Sequence, residues 1–167
     1  VGLDTALYAG QVVNTAFADR AKDSRVLAEL VKAGRLGKKT GAGFFNYAGG
    51  SRGVDDPAFV EILDRCRTGR REIGQEEMTD RLFLPMLTEA SRVLAEGIVR
   101  EPGDVDMGLI LGIGFPTYRG GILRWADTVG MDKIMEKLKR YEILGPRFHP
   151  TELLRSLASA GKGFYKE

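Results

Sequence analysis

Three short stretches of this chain occur twice, in the same order and at nearly constant spacing, and any fold assigned to it has to account for them. Val1-Gly2-Leu3-Asp4 returns as Val129-Gly130-Met131-Asp132, 128 residues on. Leu27, Leu30, Ala33 and Gly34 return as Leu154, Leu157, Ala160 and Gly161, 127 residues on. Gly41-Ala42-Gly43-Phe44-Phe45 returns as Gly161-Lys162-Gly163-Phe164-Tyr165, 120 residues on. The seven-residue step between the last two spacings falls on the loop Gly34 to Thr40. The second copy therefore lacks Arg35-Leu36-Gly37-Lys38-Lys39-Thr40 and its flanking glycine. A long helical stretch from about Glu76 precedes Val129, whereas Val1 has no counterpart of it. The repeat predicts one complete helical unit at 74–167, the back half of a second at 1–47, and a connector at 48–73.

Composition sets the outer bounds. At 167 residues, 43% apolar and 29% charged with six prolines, the chain can bury a core and is not a disordered segment. Its 25 basic and 23 acidic residues leave a net charge of +2, without the basic surplus of a dedicated nucleic-acid binder. The single cysteine, Cys66, permits no internal disulfide and fits a reducing compartment. Charged residues interrupt every apolar run before it reaches the ~18 residues of a membrane span. The first residue is Val1 rather than Met, and the length suits a piece of something larger.

Periodicity predicts an all-α fold. Asp4 is read as the cap of a helix reaching about Asp19, with Leu7, Val12, Val13, Ala16 and Phe17 inward. Ser24 caps the next, with Val26, Leu27, Leu30 and Val31 inward and Gly34 as its stop. Gly43-Phe44-Phe45-Asn46-Tyr47 reads as extended chain on a core, followed by a flexible loop over Ala48–Gly53. Pro57 starts a helix to about Cys66. The longest helix is predicted over Gln75–Glu96, ended by Gly97, with Phe83, Met86, Leu87, Ala90, Val93 and Leu94 as its stripe. Arg81, Thr88 and Arg92 face outward in that reading, and Pro85 brings a kink. Further helices are predicted over Asp104–Leu111, around Gly120–Thr128, over Met131–Tyr141 and over Glu152–Ala160. Strand content is expected to be negligible.

Little in the chain carries chemistry by itself. Gly112-Ile113-Gly114-Phe115-Pro116-Thr117 has two glycines of a dinucleotide fingerprint, but Thr117 stands at the third position and no βαβ unit surrounds it. Gly41-Ala42-Gly43 fails similarly, and there is no P-loop. His149, the only histidine, has no Ser-His-Asp or Cys-His grammar around it, and one His with one Cys makes no metal site. The carboxylate pairs Glu76/Glu77, Asp55/Asp56 and Asp104/Asp106 read as helix-terminal charges or caps. Arg65-Cys66-Arg67-Thr68-Gly69-Arg70-Arg71 reads as a solvated face. The basic glycine loop Arg35–Thr40, present only in the first copy, can hold phosphates through Lys38 and Lys39.

At these residues the sequence resembles a known family. Gly34 to Tyr47 is similar to the closing motif of the C-terminal domain of L-3-hydroxyacyl-CoA dehydrogenases. Asp80-Arg81-Leu82-Phe83-Leu84-Pro85-Met86-Leu87-Thr88-Glu89-Ala90 is similar to its long first helix. Glu96-Gly97-Ile98-Val99, Asp104-Val105-Asp106-Met107 and Gly112-Ile113-Gly114-Phe115-Pro116-Thr117-Tyr118-Arg119-Gly120-Gly121 follow in the family order. The resemblance spans nearly everything outside 48–73.

What it implies is specific. The fold is expected to be the helical 6-phosphogluconate-dehydrogenase C-terminal type, one copy plus the back half of another. Tandem copies are typical of the multifunctional enzymes of fatty-acid β-oxidation, where enoyl-CoA hydratase and Rossmann regions precede them. The parent would oxidise L-3-hydroxyacyl-CoA with NAD. Its NAD site and catalytic His, Glu and Ser would lie upstream, as would an assisting Asn, whose counterpart in the second copy is Asp80. An acid cannot donate the amide hydrogen bonds of Asn. No catalytic, cofactor-binding or metal residue is therefore assigned here. Some members place Tyr where this sequence has Leu111, so Leu111, Gly114 and Phe115 join Lys38 and Lys39 as candidate substrate-side residues. Expected partners are acyl-CoA and the upstream domains. Self-association is expected where the missing half leaves apolar surface, and neither nucleic acid nor a membrane span is. The setting would be a bacterial cytoplasm, or a mitochondrial or peroxisomal matrix in a eukaryote. A non-catalytic helical module holding acyl-CoA through Lys38 and Lys39 is the rival reading. A nucleic-acid binder using Arg65–Arg71 is a third, and requires strong salt dependence.

Overall fold

The computed structural model describes residues 2–50 and 52–165. Eight α-helices, joined by short 3-10 turns, make up the fold among the described residues, and the only bridges are isolated ones at Gly37–Ala42, Ala42–Asn46 and Asn46–Val54. The all-α expectation holds. The chain divides into two compact units, Val1–Glu72 and Ile73–Glu167.

In the first unit, α1 (Leu3–Ala16), α2 (Arg25–Lys32) and α3 (Pro57–Cys66) pack in sequence order, α2 touching both neighbours. Ser24 caps α2 by accepting the Leu27 N–H at 3.2 Å. Beyond α2, Gly34 takes φ +71°, and the Arg35 N–H reaches back to the Leu30 carbonyl at 2.9 Å. That left-handed turn suits glycine and ends the helix. Asp56 caps α3, with Pro57 at its first position. The stretch read as a connector thus carries a helix packed on α2. Leu30 and Ile62 are the buried aliphatic residues here, and no residue of α1 is buried. The cap assigned to Asp4 shifts: α1 begins at Leu3 after Gly2, leaving Asp4 in its first turn. The helix also ends earlier than expected, at Ala16.

In the second unit, α4 (Gln75–Ala95) is the central helix, touching α5 (Pro102–Ile113), α6 (Ile122–Val129), α7 (Met131–Tyr141) and α8 (Glu152–Ala160). It stays one helix through Pro85 and stops where Gly97 turns left-handed. Leu84 and Leu87 of α4 meet Ile122, Leu123 and Trp125 of α6, Ile134 and Leu138 of α7, and Leu154 of α8. Each fully buried side chain of this kind contributes about 1.5–3 kcal/mol. Phe83 stacks edge-on against Trp125 at 5.3 Å and tilts onto Phe115 at 5.2 Å. Thr88 corrects the expected outward face, because it is fully buried. A helix surrounded by four others has no single solvent face. The Thr88 hydroxyl lies 2.9 Å from the carbonyls of both Pro85 and Arg147, so the polar atom is satisfied.

The repeat is visible as geometry. Thr151 accepts the Leu154 N–H as Ser24 accepts that of Leu27. Gly161 turns left-handed at φ +63°, and the Lys162 N–H returns to the Leu157 carbonyl as Arg35 returns to Leu30. Gly130 precedes α7 as Gly2 precedes α1. The pair α7–α8 follows the same order as α1–α2, and α8 matches α2 in its hydroxyl cap and its glycine stop.

Candidate functional site

The basic loop of the first copy forms one wall of an open cleft of about 480 Å³, lined by Gly2, Leu3, Leu36, Lys38, Lys39, Phe44 and Tyr47 among others. The loop is held by its own backbone. Gly37 donates to the Ala42 carbonyl at 2.7 Å, Leu36 donates to the Thr40 hydroxyl at 2.9 Å, and residues 38–40 make one 3-10 turn. The Leu3 N–H bonds the Leu36 carbonyl at 3.1 Å, fastening the start of α1 to the loop.

The two lysines differ in availability. Lys39 Nζ lies 2.7 Å from both Asp4 carboxylate oxygens, and that contact holds the Asp4 carboxyl below the ordinary carboxylate range. Lys38 is exposed, with its ammonium 5.9 Å from the centre of the Tyr47 ring. Lys38 is thus the cation in position to meet an added anion, while Lys39 must first leave Asp4. Beneath the loop, Arg35 Nε and Nη2 donate to the Gly43 carbonyl at 3.0 and 2.8 Å, and Nη2 also pairs with Asp56. The Arg35 guanidinium holds the Asp56 carboxyl below its usual range.

The remaining candidates lie in the second unit. Leu111 is 78% exposed on α5, Gly114 ends that helix at φ +69°, and Phe115 is buried on Phe83. Leu111 therefore presents apolar surface to solvent while Phe115 belongs to the core. Gly112 and Gly114 sit at the C-terminal end of a helix, where carbonyls rather than N–H groups project. A pyrophosphate is bound by the opposite end.

Two carboxylates, Asp106 from the pair expected to cap a helix and Asp127, organise this unit. Asp106, 2% exposed, accepts the Leu123 and Arg124 N–H groups at 2.8 and 3.0 Å, so it caps α6 from another helix. It also accepts the Tyr165 hydroxyl at 2.6 Å. Burial, then the bond to Asp106, pushes the Tyr165 phenol well above its ordinary value. Asp127 accepts the Phe164 and Tyr165 N–H groups at 2.8 and 2.9 Å. Neither contact is local, since both carboxylates reach partners more than fifteen residues away. Asp104 does cap its own helix, through a reciprocal box with Glu101.

Asp80 is buried and lies against Lys137, whose Nζ is 3.1 and 2.8 Å from its two oxygens and 2.7 Å from Glu76. Partial burial lowers the Lys137 pKa, but these bonds and charges outweigh it and hold it above the ordinary lysine value. Lys137 in turn holds the Glu76 carboxyl low. Arg119 closes the same open hollow, its buried Nε without a hydrogen-bond partner. His149 is exposed and Cys66 half-buried. Among the described residues no three His, Cys, Asp or Glu side chains converge as metal ligands, and no helix is long and apolar enough to cross a membrane.

The family profile described as "3-hydroxyacyl-CoA dehydrogenase, C-terminal domain" matches residues 1–47 and 78–167. The chain belongs to this family. It is 39% identical over 171 aligned residues to the fatty acid oxidation complex subunit alpha of Pseudomonas savastanoi pv. phaseolicola, covering 99% of this chain and 24% of that protein. The corresponding Pseudomonas putida KT2440 subunit is 38% identical over the same shares. The chain thus spans about a quarter of the length of these curated relatives. Among solved structures, 3-hydroxybutyryl-CoA dehydrogenase from Escherichia coli K12 shares the fold with TM-score 0.72 at 20% identity, over 96% of this chain and 49% of that one. The dehydrogenase part of multifunctional enzyme 1 from C. elegans does so with TM-score 0.66 at 23% identity, over 93% of this chain and 36% of that one. The family match breaks at 48–77 and resumes, so the family's residues flank the stretch that carries α3.

Proposed function

We propose that this chain is the C-terminal helical part of an NAD-dependent L-3-hydroxyacyl-CoA dehydrogenase of fatty-acid β-oxidation. Residues 1–47 are the back half of a first C-terminal domain, 48–73 join it to the second, and 74–167 are that second domain. The observation that carries this reading is the single family profile matching two separated segments of one chain.

Hydride transfer and NAD binding belong to residues upstream, and this chain provides the packed helical support on the substrate side. The geometry of its glycines favours that division. Gly112 and Gly114 present the carbonyl end of a helix, which repels rather than attracts a pyrophosphate. At the position matching the family's assisting Asn, Asp80 is engaged by Lys137 and has no amide to donate. The setting is a bacterial cytoplasm, in keeping with the Pseudomonas relatives.

A second reading has one observation in its favour. The cleft gives a nucleotide phosphate the exposed Lys38 cation and the Tyr47 ring, with Lys39 joining once it leaves Asp4. There the chain itself holds acyl-CoA, without catalysis.

Calorimetric titration of the chain with NAD and with an acyl-CoA, separately, distinguishes these. Saturable NAD binding would overturn the primary reading. Acyl-CoA binding that disappears in a Lys38→Ala/Lys39→Ala variant, and strengthens in Asp4→Asn, supports the second. The primary reading further expects that the longer protein reduces NAD with an L-3-hydroxyacyl-CoA and that residues 1–167 alone do not.

A further inference from the structure

The closing aromatic turn of the second copy borders a cleft that corresponds to the one beside the basic loop. Two adjoining hollows of about 790 and 210 Å³ share Asp127, Gly161, Lys162 and Gly163 as walls. Gly130, Met131, Gly163 and Phe164 line them, and the repeat aligns these residues with Gly2, Leu3, Gly43 and Phe44 of the first cleft. The second copy has no counterpart of Lys38 and Lys39. It carries two other cations in the same surroundings. Lys162 stands where the first copy has Ala42, and Arg124 comes from α6.

Both cations are exposed, and no ion pair joins either to a carboxylate among the described residues. Arg124 is nonetheless fixed in place. Its backbone N–H and the Tyr165 hydroxyl both bond the buried Asp106 carboxylate, and its guanidinium lies over the Tyr165 ring, 3.8 Å from the centre. Stacking uses the face of a guanidinium and leaves the N–H groups at its edge, which match two oxygens of one phosphate. Of the two carboxylates in the walls, Asp132 lines only the smaller hollow, and Asp127 is engaged by the Phe164 and Tyr165 N–H groups. Gly163 is pressed against Asp127, since a Cβ there would lie 2.6 Å from its carboxylate. Leu157 and Phe164, which pack on the core, give the larger hollow an apolar side. Its volume falls in the range of about 300–1,000 Å³ that small organic ligands occupy, above what a lone phosphate fills.

We propose that this cleft of the second copy binds a nucleotide ending in a free phosphate, with Arg124 and Lys162 on the phosphate and Leu157 and Phe164 against the nucleoside. Two cations without carboxylate partners match the near-double charge of a terminal phosphate at neutral pH. A phosphate esterified on both sides carries one charge and answers only one of them. The site is separate from hydride transfer and from the Lys38 cleft, so its failure leaves the family role proposed above untouched.

The test is calorimetric titration of the chain carrying Lys38→Ala/Lys39→Ala, so that the first cleft contributes no cation. ADP should bind saturably. Lys162→Ala, at an exposed position, and Arg124→Gln, which keeps the backbone bond to Asp106, should each weaken it by about tenfold or more. Adenosine, which has no phosphate, and NAD, whose phosphates are both esterified on two sides, should not saturate the chain. Amide resonances of Lys162, Gly163 and Phe164 should shift with ADP while those of residues 38–40 stay in place. Absence of saturation with ADP, unchanged affinity in Lys162→Ala, or equal affinity for adenosine or NAD overturns the proposal. Inorganic pyrophosphate binding as tightly as ADP overturns it as well, because the apolar side would then contribute nothing.

Discussion

The Tyr165 hydroxyl donates to the buried Asp106 carboxylate at 2.6 Å, joining the last described residue of the chain to the start of α6. The same carboxylate takes the Leu123 and Arg124 N–H groups, and the Arg124 guanidinium stacks 3.8 Å from the Tyr165 ring centre. Tyr165→Phe removes one hydrogen bond to a charged group and keeps the ring, so it should cost about 1.5–3 kcal/mol. Asp106→Ala strands two N–H groups and the phenol together and should cost more, about 3–5 kcal/mol. Urea unfolding of the two variants checks both the sizes and their order.

Gly121 and Gly108 make opposite predictions from one substitution. A Cβ at Gly121 would lie 2.1 Å from the Asp106 carboxylate carbon, on backbone at φ +112°. Gly121→Ala must therefore displace the group that caps α6, and a loss above about 3 kcal/mol is expected. Gly108 lies inside α5 with nothing within 4 Å of its would-be Cβ. Gly108→Ala should stabilise by about 0.4–1 kcal/mol, since Ala loses less backbone entropy in a helix. Equal shifts in melting temperature would contradict this account.

Stability should fall at both ends of the pH range, for different reasons. Asp4, Asp56 and Glu76 have carboxyls held low in the folded state by Lys39, Arg35 and Lys137. The stability they add is present above the unfolded carboxyl values of about 4 and is lost as pH falls through their lower folded values. Lys137 and Tyr165 are held high. Their contribution is complete below unfolded values near 10 and disappears as pH rises beyond them. Ultraviolet titration of the five tyrosines isolates one part of this. Tyr165→Phe should remove a late-ionising component from the titration.

Much of the fold was legible because its signals are local. Ser24, Gly34, Pro57 and Gly97 mark helix ends through contacts within a few residues, and α3, α7 and α8 begin and end where periodicity placed them. Thr88 escaped because its burial depends on the Arg147 carbonyl, 59 residues away. Asp106 escaped likewise, since it caps a helix other than its own. An acid ahead of an apolar run is a cap signal, yet Lys39 draws Asp4 into a pair with the basic loop. Of the candidate site residues, Lys38 and Leu111 are as accessible as a ligand contact requires. Phe115 is not, because Phe83 packs against its ring. Sequence offered the residue types but not the partners that distinguish them.

Arg35 should be the most sensitive polar residue of the first unit. Its guanidinium bonds the Gly43 carbonyl twice and Asp56 once, with side-chain exposures of 12% and 10% for the ion pair. It thereby links the exit of α2, the aromatic turn and the cap of α3. Lysine keeps the charge but has a single nitrogen and cannot reproduce the fork. Arg35→Lys should cost about 1–3 kcal/mol, and Arg35→Ala more, because it leaves Asp56 without its cation. The loss should be local. Amide exchange should quicken in α3 and at residues 43–47 while α4–α8 keep their protection. Equal effects of Arg35→Lys and Arg35→Ala would mean that packing, not the forked contact, holds the turn.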